Sequence, residues 1–185
     1  MNRRTRIVAL TAALLIAAGA AGSATASADG GESAARHGGR EAAALTGTAK
    51  LYRPAGDDIT FSFDAHLAAK DTMDPRAATG TFRFSHYKDG QGGYAVAKVD
   101  CLTTGGKVAV VTGVVIETDV DEFRNERVGI SVHDDGKRDR LGYSWITKEG
   151  DAELPPCMSP APFEKVKAGT GDFRVLPWKL EYPTE

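Results

Sequence analysis

Ile59, Phe61, Phe63, Ala65 and Leu67 occupy alternate positions, with Thr60, Ser62, Asp64 and His66 between them. A period of two puts each set on its own face, which predicts a half-buried β-strand over residues 59–67. The same period recurs along the chain. Phe82 and Phe84 alternate with Thr81, Arg83 and Ser85 over 81–87. Over 94–102, Ala95, Ala97, Val99 and Cys101 are expected inward and Lys98 and Asp100 outward. Val128, Ile130 and Val132 alternate over 127–133, and Leu141, Tyr143 and Trp145 over 141–145. The most apolar run, KVAVVTGVVIE at 107–117, is rich in β-branched residues, and Gly113 in its middle predicts a bulge or bend. Residues 45–53 alternate weakly, and a last run from Phe173 to Leu180 is interrupted by Pro177.

Turn residues punctuate these runs. Pro54–Asp58, KDGQGG at 88–93 and TTGG at 103–106 are turn clusters, and a loop surrounds Pro75. No segment of the mature chain carries a convincing helical period. About eight short strands with glycine turns predict an all-β fold, a single antiparallel barrel or sandwich. The domains are expected as a signal peptide at 1–28, a disordered leader at 29–44, the β-domain at 45–180 and a C-terminal tail at 181–185.

The first of these is an address. Arg3, Arg4 and Arg6 precede the apolar run IVALTAALLIAAGAA, and small residues follow, ending in Ala26-Ser27-Ala28. A charged start, a short apolar core and an A-x-A ending describe a secretory signal peptide, with cleavage expected near Ala28 and an extracellular destination. The run falls short of the ~20 residues that cross a bilayer, so no integral membrane segment is expected in the mature chain. The following stretch, DGGESAARHGGREAAA, lacks periodicity and reads as a flexible leader in which His37 is solvated.

The chain has a net charge of −2, and losing those arginines makes it more acidic. An acidic, mixed surface excludes nucleic acid as a partner and disfavours an anionic membrane surface. The two cysteines, Cys101 and Cys157, are expected to form one disulfide, the ordinary state of an even count in an exported chain.

Candidate chemistry is sparse. In DDGKRDR, Asp134 and Asp139 could serve a cation, but the EF-hand spacing and its twelfth-position glutamate are missing. Asp135-Gly136 is a favoured turn pair, so this stretch is expected to be a hairpin tip. In ETDVDE, Glu117, Asp119 and Asp121 recur at every second place and would share a face if extended. Arg124 and Arg127 nearby favour a solvated acidic loop instead. GYSWI at 142–146 is similar to the G-x-S-x-G nucleophile elbow, but Ile146 replaces the last glycine and Ser144 falls within a predicted strand. His66, His86 and His133 lie on different strands and could meet only through the fold; their spacing is not that of a zinc site. No glycine-rich loop opens a helix, so no phosphate cradle and no cofactor are expected. Phe61, Phe63, Phe82, Phe84, Tyr143 and Trp145 share strand faces and could either form a core or line a ligand cavity.

The segments FSFDAHL, GTFRFSHYKDGQGGYAVAKVDCLTTGGKVAVVTGVV and GISVHDDGKRDRLGYSW, with a late Cys157, resemble a group of uncharacterised small secreted β-rich proteins of high-GC Gram-positive bacteria, some automatically named repetin. The resemblance runs from about Leu45 to Leu176. It implies a secreted β-domain and lends no catalytic residues. The expected function is a non-catalytic binding or envelope-associated module with an extracellular ligand or protein as partner. The alternatives are a secreted hydrolase with a site from His66, His86 or His133, and a protease inhibitor using the loop around Met158.

Overall fold

A computed structural model describes residues 40–145 and 154–179. The expected signal peptide, most of the leader with His37, and the tail at 181–185 lie outside the described residues. One antiparallel sheet of nine strands, one more than expected, forms the domain. The strands are β1 (Glu41–Lys50), β2 (Asp58–Ala68), β3 (Thr79–Lys88), β4 (Gln91–Gly105), β5 (Val108–Thr118), β6 (Arg127–His133), β7 (Arg140–Trp145), β8 (Glu164–Lys165) and β9 (Asp172–Leu176). Strands β1 to β8 form a meander, and β9 returns to pair with β1, giving the order β8-β7-β6-β5-β4-β3-β2-β1-β9. The sheet curls into a half-barrel. The described helical structure consists of single 3-10 turns, such as Pro75–Ala77 and Asp121–Phe123.

The domain begins earlier than the leader boundary at 44 predicts. Residues 41–44 belong to β1, and Ala43 and Ala44 are buried. An alanine-rich segment has little apolar area of its own, so its order comes from pairing on both sides, with β2 and with β9.

Alternation sets the inner face as predicted on β2, where Phe61, Phe63, Ala65 and Leu67 are buried. The walls meet through rings: Phe61 lies 5.5 Å from Tyr143 of β7, and Phe63 meets Phe173 of β9 edge-on at 5.5 Å. Gly113 serves close approach, since a Cβ there would stand 2.8 Å from the Phe82 ring and 2.5 Å from the Lys98 carbonyl. The bend itself lies opposite, in β4, where the register slips between Val99 and Cys101.

That bulge overturns the expected direction of Cys101. The extra residue, Asp100, shifts the parity of β4. Leu102 then opposes Val111 in the core, and Cys101 opposes Thr112 on the outer face. Cys101 is fully buried because the segment carrying Cys157 covers it. The Cys101–Cys157 disulfide forms as expected, with Cα atoms 5.2 Å apart. It closes a loop of 56 residues, worth roughly 4 kcal/mol by chain entropy.

Residues 154–163 run across the outer face of β6 and β7. Gly129 and Ser131 of β6 oppose Ser144 and Gly142 of β7, leaving a shallow bed of small side chains. Ser131 Oγ donates to the Ser159 carbonyl at 3.2 Å, and Cys157 N donates to Thr112 Oγ1 at 3.1 Å. Thr112 in turn donates to Asp100, whose other oxygen accepts from Arg127 Nε at 2.7 Å. The bulge residue thereby anchors the segment that carries its neighbour's disulfide partner.

A Cβ on Gly129 would sit 2.2 Å from the Met158 carbonyl oxygen, a backbone atom that cannot swing aside. Gly129→Ala is therefore expected to lift residues 154–163 from the sheet and cost about 1–3 kcal/mol in urea unfolding. Gly105→Ala, with no atom within 4 Å of the added Cβ, should leave stability within about 0.5 kcal/mol.

Candidate functional site

The inner face holds a cavity of about 550 Å³, within the range of small-molecule sites. Its making can be read strand by strand. Phe84 and His86 continue the inner row of β3, facing Phe61 and Ile59 on β2 and Ala95 and Gly93 on β4. Bulk on β2 and β3 meets almost nothing on β4, so space remains beside the rings. Tyr143 closes the far side, and Val120 and Phe123, from the connection between β5 and β6, form a wall. Gly93 permits that wall: a Cβ there would stand 2.4 Å from Val120 and 2.7 Å from the Asp119 carboxylate.

The polar groups around this space are few. His86 Nε2 lies 2.8 Å from Asp57 Oδ1, and Lys88 Nζ lies 3.7 Å from the other oxygen. The His86 hydrogen bond, opposed by desolvation and assisted by Lys88, holds the Asp57 carboxyl below its ordinary range. The Tyr94 hydroxyl donates to Glu117 Oε1 at 2.9 Å, and this bond is the chief cause of its raised pKa. Arg53 pairs with Glu164 at 2.5 Å; that bond, with help from the Tyr143 hydroxyl, holds its pKa above the ordinary value.

The acidic positions singled out in the sequence do not converge. Glu117 accepts from the Tyr94 hydroxyl, and Asp119 accepts from the Tyr94 backbone N–H at 2.7 Å. Asp121 lies in a 3-10 turn, fully exposed, 3.7 Å from Arg124. Asp134 and Asp139 do flank the connection from β6 to β7, as a hairpin tip requires. The connection runs over six residues with a 3-10 turn at Gly136–Arg138 rather than a two-residue Asp-Gly turn. Their carboxylates face β9. Asp139 Oδ2 accepts from Phe173 N at 2.9 Å, its Oδ1 from Asp135 N at 2.9 Å, and Asp134 Oδ2 from Val175 N at 3.2 Å. Among the described residues, no group of three or more His, Cys, Asp or Glu side chains could hold a metal ion.

The histidines are likewise kept apart. On β2, His66 is held between carboxylates, with Nδ1 2.7 Å from Glu41 and Nε2 2.8 Å from Asp64. Both ring nitrogens are committed, so neither can take a proton from a nucleophile. His133 packs against the Phe163 ring at 6.2 Å. Ser144 is buried beneath residues 154–163, its Oγ 3.4 Å from Ser159 Oγ. Met158 has an exposed side chain, but its carbonyl lies against Gly129, whereas a protease-inhibiting loop must present its scissile carbonyl outward. Of the aromatic set, Phe61, Phe84 and Tyr143 line the cavity, Phe63 and Phe82 belong to the core, and the Trp145 side chain is outside the described set.

Sequence reasoning misses Asp57, Tyr94, Val120 and Phe123. Asp57 sits in a turn cluster, and Val120 and Phe123 sit in an acidic loop where periodicity is silent. The double glycine at 92–93 beside an aromatic strand is the signal that points to this corner. Fold and cavity together define an antiparallel half-barrel with a mostly apolar, partly open cavity on its inner face. Compared with family models, curated proteins and solved structures, the chain finds no match.

Asp139→Ala strands the buried Phe173 N–H and should cost about 1–3 kcal/mol by urea titration. At His66, burial lowers the pKa, but the bonds to Asp64 and Glu41 outweigh it and the net shift is upward. A raised histidine pKa contributes stability that is complete below the unfolded value of about 6.5 and disappears as pH rises through the folded value. The stability difference between the native chain and His66→Gln should therefore shrink on passing from pH 5 to pH 9, as read from urea unfolding at each pH.

Proposed function

We propose that this chain is an exported, non-catalytic binding module that takes a small apolar ligand into the cavity of its half-barrel. The observation that carries the reading is the cavity itself: about 550 Å³ beside Phe61, Phe84 and Tyr143, with a wall that is mostly apolar. Export is supported by the arginine-led apolar start, the Ala26-Ser27-Ala28 ending and the buried disulfide. Among the described residues no helix is long and apolar enough to cross a membrane. The resemblance to the repetin-named secreted group belongs to the same proposal and rests on the quoted segments. The commitment of both His66 nitrogens, the burial of Ser144 and the inward Met158 carbonyl favour neither a hydrolase nor an inhibitor.

The test uses the neutral fluorophore N-phenyl-1-naphthylamine. The native protein should bind it saturably at one site per chain and melt at a higher temperature in its presence; at ~100 times the dissociation constant the gain is ~2.7 kcal/mol. Val120→Phe, which fills the cavity from its wall, should abolish binding while leaving the β-sheet circular dichroism unchanged. Absence of saturable binding, or binding indifferent to Val120→Phe, overturns the proposal.

A further inference from the structure

The cavity's chemistry narrows the ligand, an inference that rests on the binding reading above. The inner row of β3 runs Phe82, Phe84, His86, so His86 is the polar end of an apolar file. Its Nε2 is committed to Asp57 Oδ1 at 2.8 Å. Asp57 is also paired with Lys88 and is held in its ionised form, and an ionised carboxylate only accepts. Nε2 therefore carries the hydrogen. In the neutral imidazole this leaves Nδ1 as a lone-pair acceptor, the tautomer fixed by the partner of the other nitrogen.

Two other polar side chains at the cavity are already engaged, and the Ser85 hydroxyl adds a further polar group to its wall. Tyr94 gives its hydroxyl hydrogen to Glu117, and Tyr143 lies beside Arg53. The remaining wall of Ile59, Phe61, Phe84, Val120 and Phe123 is apolar and ring-rich. We propose that the cavity takes an uncharged, flat aromatic molecule bearing one hydroxyl, a phenol or aromatic alcohol, whose O–H is donated to His86 Nδ1. A carboxylate of the same shape would bring negative charge to an acceptor backed by Asp57. An ether of the same shape has no hydrogen to donate.

Three probes of matched shape test this by calorimetric titration near neutral pH: 2-naphthol, 2-methoxynaphthalene and 2-naphthoate. The native protein should bind 2-naphthol at least about tenfold more tightly than either of the others, the effect of one directed hydrogen bond. His86→Phe should bind 2-methoxynaphthalene as well as the native protein does and lose the preference for 2-naphthol. The His86 side chain is 59% exposed, so this replacement leaves the core intact. Asp57→Asn offers an amide that can donate to Nε2, releases the tautomer and should reduce the preference without removing binding. Equal affinities for the three probes, tighter binding of 2-naphthoate, or a preference that survives His86→Phe overturns the inference and leaves the cavity reading standing. Failure of all three probes to bind overturns both.

Discussion

A curled sheet that stops short of closing leaves the backbone of its last strand without a neighbour, and buried N–H groups without acceptors are costly. Here that strand is β9. Its residues 172, 174 and 176 face β1, so the N–H groups of Phe173 and Val175 face the other way. Among the described residues, no strand meets them there. Asp139 and Asp134 do, side-chain carboxylates standing in for a missing ladder. Thr104 extends the seam, donating to the Leu176 carbonyl and accepting from Trp178 N at 2.7 Å. At the far end, residues 164–167 bond to β7 on one side and to Lys50 and Tyr52 on the other. The inner face, with Phe173 as one of its largest fully buried side chains, depends on this seam holding.

The seam explains the composition of the turn between β6 and β7. Asp139 is 4% exposed, and burial, opposed by its two backbone hydrogen bonds, raises its pKa. A carboxylate is retained there because one side chain must satisfy two N–H groups on different segments, which no neutral acceptor of that length does as well. The outer face follows a related logic. Asp100, the bulge residue, turns Cys101 outward and bonds to Thr112 and Arg127. The disulfide and the glycine–serine bed of β6 and β7 then fix residues 154–163. With both faces thus restrained, the inner face can carry a cavity where Gly93 and Ala95 oppose His86 and Phe84.

How much of this the sequence reveals depends on the range of the interaction. Period-two runs identify β2, β3, β6 and β7 closely, because each strand's inner and outer faces see different solvents, and the β-branched apolar run at 107–117 identifies β5. Strand β8 escapes because a two-residue strand has no period. The start of β1 escapes because alanines 42–44 carry too little hydrophobic contrast. The direction of Cys101 is misread because one inserted residue inverts parity without altering composition. Asp134 and Asp139 draw attention as an acidic pair, yet their acceptors' partners lie over thirty residues away on β9. The cavity is partly visible as shared aromatic faces. Its emptiness is not, since that comes from small residues on the adjacent strand, and pairing is known only once the register is.

The central claim is that carboxylates, rather than a neighbouring strand, close the edge of β9. Amide hydrogen exchange by NMR on the unaltered protein tests it directly. The account predicts that the Phe173 and Val175 amides exchange slowly, with protection comparable to that of Arg174, whose N–H faces β1. Rapid exchange at Phe173 and Val175 alongside a protected Arg174 would show the seam to be open and would contradict the account.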